Sequence, residues 1–307
     1  MASFARLVSG EWRQTAQSGT SMFHAWHWGP GKHSIRRMTD GSGAGGQPWR
    51  EVQVYYWHPG RHQVRLLGVS PFARGVSEGA IKFAGETAEG ASDLYQTGGR
   101  RKMGLRWAFD GPDKYRDTLL EATGPGGFTP LVEFDLVRSK PPAAPRPRAV
   151  EGASKPSERL KALEPLLGPT WEAKGEWAAG DALHVRSNFE WVPLADAIYA
   201  RVIAPTKGGE PTHLLDAYFY HHTGANWLRC LALSSRGGVY EGDLAVLDGG
   251  ALQIDLKGHE GGKAVAHAVR LDLEKDGTLR HRVWSLKGAE RTPLLDAHHK
   301  KLESKKD

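Results

Sequence analysis

The chain has a single cysteine among its 307 residues, Cys230, so no disulfide can close within it. That fits a reducing compartment, and the cytoplasm is the expected location. No stretch approaches the roughly 18 consecutive apolar residues of a membrane-spanning helix. The opening "MASFARLVSGEW" has no apolar core of the kind a signal peptide carries. No long block of like charge is present, although the net charge is +6. Residues 1–138 hold 17 Lys/Arg against 13 Asp/Glu, and residues 160–307 hold 19 against 20. A nucleic-acid partner is therefore not expected. A phosphate-cradling GxxxxGK[ST] loop, a dinucleotide-binding glycine fingerprint and a zinc-binding HExxH are also missing.

What is abundant is glycine (38 residues) and tryptophan (11 residues). Glycine-punctuated, aromatic-rich sequences favour short strands and tight turns. The segment 139–159, "SKPPAAPRPRAVEGASKPSER", has five prolines and almost no large apolar side chains. It reads as an extended linker between two units, residues 1–138 and 160–299, with a basic tail at 300–307.

The two units are copies. At an offset of 163 residues, Gln47-Pro48 falls on Glu210-Pro211, "VYYWH" (54–58) on "AYFYH" (217–221), and "GVSEG" (75–79) on "GVYEG" (238–242). "TPL" at 129–131 falls on "TPL" at 292–294 at the same offset, and Trp12 matches Trp171 at an offset of 159. Each unit opens with a short helical turn, "SFARLVSGEW" or "SERLKALEPLLGPTW". In the second, Ser157 suits an N-cap and Gly168 a stop. After that turn, eight strand-like runs lie between 184 and 286, each bounded by Gly, Pro, Asp or Asn. No helix of useful length intervenes, which excludes a parallel α/β sheet. The expected fold is all-β: two tandem antiparallel up-and-down β-barrels.

The repeated unit resembles the calycin superfamily, and within it the bacterial lipocalin-like domains related to the DUF1579 family of unknown function. "LLGPTW" (166–171), "FEWV" (189–192), "DAYFYHHTGANWLRCLALSSRGGVYEG" (216–242) and "DGTLRHRVWSL" (276–286) carry the resemblance in the second unit. "VSGEW" (8–12), "WHW" (26–28) and "VYYWHPGRHQVRLLGVS" (54–70) carry it in the first. The resemblance implies closed barrels that carry a small molecule, and a first-strand Trp that plugs one barrel end. No cofactor is expected. Some relatives hold haem, but the Gly-rich motif around the first Trp of the haem-binding branch is not present.

The candidate binding residues follow from period-two alternation. Asp216, Tyr218, Tyr220 and His222 share one face of their strand; Leu215, Ala217, Phe219 and His221 share the other. Alternation alone leaves open which face points inward. His221 and His222, being consecutive, cannot chelate one metal, and no metal is expected. Glu78 and Glu241, each before a glycine, are candidate lumen carboxylates with Arg229 or Arg65 as partner. Trp26, Trp28, Phe189 and Trp191 are candidate aromatic walls of a cavity, and Tyr56 is a further candidate ligand contact. Cys230, inside "LRCLALS", reads as a small buried hydrophobe. The expected function is binding of a small apolar or aromatic molecule in a barrel cavity, with the second unit the better candidate. Hydratase- or isomerase-type catalysis by a lumen Glu or His, a protein-interaction module with filled barrels, and haem binding stay open as alternatives.

Overall fold

The computed structural model describes residues 1–8, 10–14, 21–42, 48–70, 75–124, 126–139, 158–192 and 197–302. The first unit contains β1 (Glu11–Gln14), β2 (Ser21–Trp28), β3 (Ser34–Ser42), β4 (Pro48–His58), β5 (Gln63–Ser70), β6 (Gly75–Ala84), β7 (Thr87–Gln96), β8 (Gly99–Phe109), β9 (Lys114–Gly124) and β10 (Gly127–Ser139). The second contains β11 (Thr170–Glu176), β12 (Ala182–Val192), β13 (Ala197–Ala204), β14 (Thr212–His222), β15 (Trp227–Ser234), β16 (Val239–Val246), β17 (Leu252–Glu260), β18 (Lys263–Leu273), β19 (Leu279–Lys287) and β20 (Glu290–Leu302). Every strand pairs antiparallel with the next in sequence. β1 closes on β10 and β11 on β20, so both units are sealed barrels without free sheet edges.

Ten strands form each barrel, not eight. The sequence reading missed β11 and β20, the two strands that close the second barrel. β11 is short and polar at one end; β20 carries Pro293 and four exposed residues at its start. Barrel diameter grows with strand number, so a ten-stranded lumen is wider than an eight-stranded one and needs bulkier filling. The second barrel runs through Leu302, beyond the expected boundary at 299. Most of the expected linker (140–157), Ser157 included, and residues 303–307 of the tail lie outside the described residues.

A helical turn does open each unit, as a 3-10 turn (Ala2–Phe4) running into a short α-helix (Ala5–Val8), and as a 3-10 helix (Lys161–Leu166). Each turn packs its leucines into one barrel mouth: Leu7 below the first, Leu160, Leu163 and Leu166 below the second. The first-strand tryptophan locks the plug. Trp12 Nε1 donates to Leu7 O at 2.9 Å and Trp171 Nε1 to Leu166 O at 3.0 Å, and both rings are fully buried.

The copies align strand for strand, with small shifts of register between them. Ile35 and Ile198 occupy equivalent core positions at an offset of 163. In β4 and β14, however, Tyr55 pairs with Leu66 in the first core, and Phe219 pairs with Cys230 in the second. The equivalence there is 164, so Tyr56 matches Tyr220, not Phe219. The turn between β5 and β6 is one residue longer than that between β15 and β16, which restores 163 at Glu78 and Glu241. The repeated "TPL" has a structural cause: the pairing slips between Pro130 and Val132, and opposite Pro293 and Leu295. Proline cannot donate to a ladder and is tolerated at such a bulge.

The barrels dock side to side. Val54, Tyr56, Leu67 and Val69 on the outside of β4 and β5 pack against Tyr199, Tyr218, Tyr220 and Leu231 on the outside of β13, β14 and β15. Arg36 lies 4.3 Å over the Tyr199 ring. At Gly31 a Cβ would sit 2.1 Å from the Ser235 carbonyl oxygen, so only glycine permits this approach. Among the described residues, no helix is long and apolar enough to cross a membrane.

Candidate ligand sites in the seam and in the first lumen

The eleven residues singled out from the sequence divide into two sets. Phe189, Trp191, Trp26 and Trp28 face barrel interiors as expected: Phe189 is in the second core, 6.3 Å from Phe219, Trp26 is in the first, and the other two tryptophans border their respective cores. The other seven lie outside both lumens. Tyr56, Glu78, Tyr218, Tyr220, His222, Arg229 and Glu241 gather at the seam between the barrels. Glu78 and Glu241 are therefore not lumen carboxylates. The glycine after each explains why: a Cβ at Gly79 would meet Ala91 O at 2.3 Å, and one at Gly242 would meet Asp255 O at 1.9 Å. The glycine takes the inward position against a neighbouring strand, which turns the glutamate outward.

At the seam the two units exchange tyrosine–glutamate bonds. Tyr56 donates to Glu241 at 2.6 Å and Tyr220 to Glu78 at 3.3 Å, each across the interface. Arg229 Nη1 also donates to Glu78 at 3.2 Å, and His222 Nε2 lies 3.7 Å from the same carboxylate. Burial, reinforced by these glutamates, pushes both phenols well above their ordinary range. His222 is a hairpin residue: its Nδ1 accepts from Ala225 N at 3.0 Å, and its ring lies 4.5 Å from Tyr95. His221 points to the opposite face and contacts Arg159 at 2.8 Å. A cleft of about 490 Å³ opens beside these pairs.

The first lumen holds groups that sequence reasoning passed over. β2, β3, β4 and β9 send His24, Arg37, Thr39, Glu51, Gln53 and Asp117 inward, among Trp26, Tyr55, Trp107 and Tyr115. Arg37 Nη1 donates to Asp117 Oδ2 at 2.6 Å, and Trp107 Nε1 donates to Asp117 Oδ1 at 3.1 Å. His24 Nδ1 and the Tyr115 hydroxyl share a hydrogen bond of 2.6 Å. Gln53 accepts from the Tyr55 hydroxyl and donates to Glu51 at 3.0 Å. Arg37 is 4% exposed and Asp117 5%. Burial opposes the Arg37 charge, yet Tyr55, Asp117 and Glu51 overcome it and raise the guanidinium pKa. Burial raises Glu51 above the usual carboxylate range, against the pull of Arg37. Burial, with the Arg37 charge, holds His24 well below the ordinary imidazole value and so neutral. Among the described residues, three buried polar atoms here are without a hydrogen-bond partner: Trp26 Nε1, Arg37 Nε and Thr39 Oγ1.

The second lumen is built otherwise. Arg37, Thr39, Glu51, Gln53 and Tyr55 correspond to Ala200, Val202, Leu215, Ala217 and Phe219, all in or against its apolar cores. Its polar side chains include His281 and His299, ring centroids 5.6 Å apart, with His267 against Tyr240 and the buried Ser187. Cys230 is buried in its core, its thiol pushed up to about 12 by burial. Among the described residues no three His, Cys, Asp or Glu side chains meet to hold a metal ion. No protein-family model matches this chain, and no curated protein matches it in sequence.

Proposed function

We propose that the protein binds a small molecule and that its primary site is the lumen of the first barrel. The observation that carries this reading is the contrast between the two copies. The second barrel closes and packs with aliphatic residues where the first has Arg37, Thr39, Glu51 and Gln53. Burying those groups is costly and folding does not require it, so they serve something other than the fold. Arg37 Nε is a charged donor and Thr39 Oγ1 a neutral partner, both unsatisfied. They suit a ligand with a carbonyl or carboxylate oxygen, held beside the aromatic cluster of Trp26, Tyr55 and Trp107. Kinship with the lipocalin-like DUF1579-related proteins and a cytoplasmic location remain part of this reading.

One observation favours a second reading. A carboxyl raised by burial (Glu51) and a neutral histidine hydrogen-bonded to a tyrosine (His24, Tyr115) in one lumen make an acid–base set suited to hydration or isomerisation. Binding comes first in either case. Native mass spectrometry of the purified protein beside Arg37→Met tests it. The expected result is a bound mass of a few hundred daltons on the parent and none on the variant. Bare polypeptide in both, with no change in tryptophan fluorescence across a panel of flat carboxylic acids, overturns it.

A further inference from the structure

The cleft at the seam carries a broken symmetry. Arg229 on β15 and Arg65 on β5 are equivalent positions, 164 residues apart, and both point into the seam. Arg229 is compensated twice: Glu78 of the other barrel at 3.2 Å, and its cross-strand neighbour Asp243 at 3.5 Å. Arg65 has neither. Its cross-strand neighbour, at the position matching Asp243, is Ala80. The carboxylate matching Glu78 is Glu241, which takes the hydrogen bond from Tyr56. Among the described residues Arg65 makes no ion pair, and its Nε is buried without a hydrogen-bond partner. A part-buried guanidinium left in that state is unfavourable unless something else neutralises it.

The rest of the cleft agrees. Arg61 and Lys102 also line it and also lack an ion pair among the described residues. Of the acidic residues there, Glu78 pairs with Arg229 and accepts from Tyr220, and Asp93 pairs with Arg100 at 3.0 Å, while Glu241 accepts from Tyr56 and makes no ion pair among the described residues. The cleft therefore presents three cations without an ion pair against one such carboxylate, Glu241, within a volume of about 490 Å³. Ala80, by lacking a side chain beyond Cβ, leaves room beside Arg65.

We propose that this cleft is a second ligand site, separate from the first lumen, and that it takes a small oxyanion of at least two charges on Arg65, Arg61 and Lys102. Arg65 supplies a planar fork that matches a phosphate or a carboxylate; Arg61 and Lys102 at the rim add charge. Phosphate and carboxylate share this chemistry, and the binding experiment separates them.

Isothermal titration of the full chain with inorganic phosphate, and in a parallel arm with citrate, is run at ionic strength fixed with sodium chloride. Saturable binding of either anion is expected, and the tighter arm identifies the source. Arg65→Gln weakens that binding by about tenfold or more, the usual loss for one charge-assisted contact. The pair Arg61→Gln and Lys102→Gln, at exposed positions that do not test the fold, weakens it as well. Lys174→Gln, on the far barrel, leaves it unchanged. The lumen reading is tested separately, by native mass spectrometry of Arg37→Met, so the two can fail independently. No saturable heat with either anion, or equal affinity in Arg65→Gln and the parent, overturns the proposal.

Discussion

The two barrels share one plan and differ in what fills it. Both have ten strands, a plugging turn, a tryptophan bonded to that turn and a proline bulge within the closing strand. One lumen is mostly apolar, with three histidines and a serine among its polar side chains; the other holds a buried ion pair, a second carboxyl and a neutral histidine. Duplication thus provides its own control. Residues found in both copies report what the fold requires, and residues found in one report what that copy does in addition. By this test the tryptophan plugs are structural, while Arg37, Glu51 and Asp117 in the lumen are surplus to folding; in the seam the arginine is shared by Arg65 and Arg229, and what differs is its neighbour, Ala80 in one copy and Asp243 in the other.

The largest expected effect comes from breaking the ion pair that only the first lumen has. Asp117→Ala leaves Arg37 buried without its counter-charge and should cost about 3–5 kcal/mol in denaturant unfolding. Replacing Arg37 and Asp117 together by apolar residues, which makes this lumen more like the other, should recover most of that loss. Equal destabilisation of the single and the double variant would dissolve the contrast.

Next is a property of the second lumen. Burial, with a smaller push from His298, lowers His299 to about 4, and burial lowers His281 to about 3. The unfolded chain takes up these protons near pH 6.5 and the folded chain does not. Stability is therefore complete above about pH 6.5 and is lost as pH falls toward 4. For His299, which is buried, the loss is about 3 kcal/mol. Unit one has Leu136 at the matching position, so His299→Leu should flatten the acid limb of the stability–pH curve. An unchanged acid limb would mean that the histidines are not what separates the lumens in acid.

The smallest effect concerns the seam, where the copies act alike. Tyr56→Phe and Tyr220→Phe each remove one hydrogen bond to a glutamate of the other barrel and should each cost about 1 kcal/mol. Thermal unfolding of both variants checks it. A much larger loss for one would show that the exchange is not reciprocal.

Much of the architecture was legible in the sequence because glycine and proline punctuate the strands and because the pattern recurs. The two closing strands of the second unit were not, since polar residues and a bulge proline hide their alternation. Alternation also grouped Tyr218, Tyr220 and His222 correctly on one face, yet it cannot say which face is inside. The presence of a second barrel decided that. Pairing Tyr56 with Phe219 was a slip of one residue, and in a strand one residue reverses the face. Aligned at 164, Tyr56 falls on Tyr220 and the shared seam becomes visible. The lumen charges had a signal too: Arg37 lies over Ala200 and Glu51 over Leu215, a difference that stands out only once the register is right.

The closure of β1 on β10 has a consequence for the order of assembly. Glu11 and Ser139 must meet across the whole unit before the first barrel exists. Such a distant pairing is slow to form, and it cannot complete before residue 139 is available. On the ribosome the remaining residues take roughly 8–35 s to appear at ordinary synthesis rates. During that interval the finished first barrel carries Val54, Tyr56, Leu67 and Val69 uncovered. The second copy then folds against a surface already in place, so the nascent first barrel serves as its template and the second barrel, on arrival, removes its partner's principal aggregation hazard.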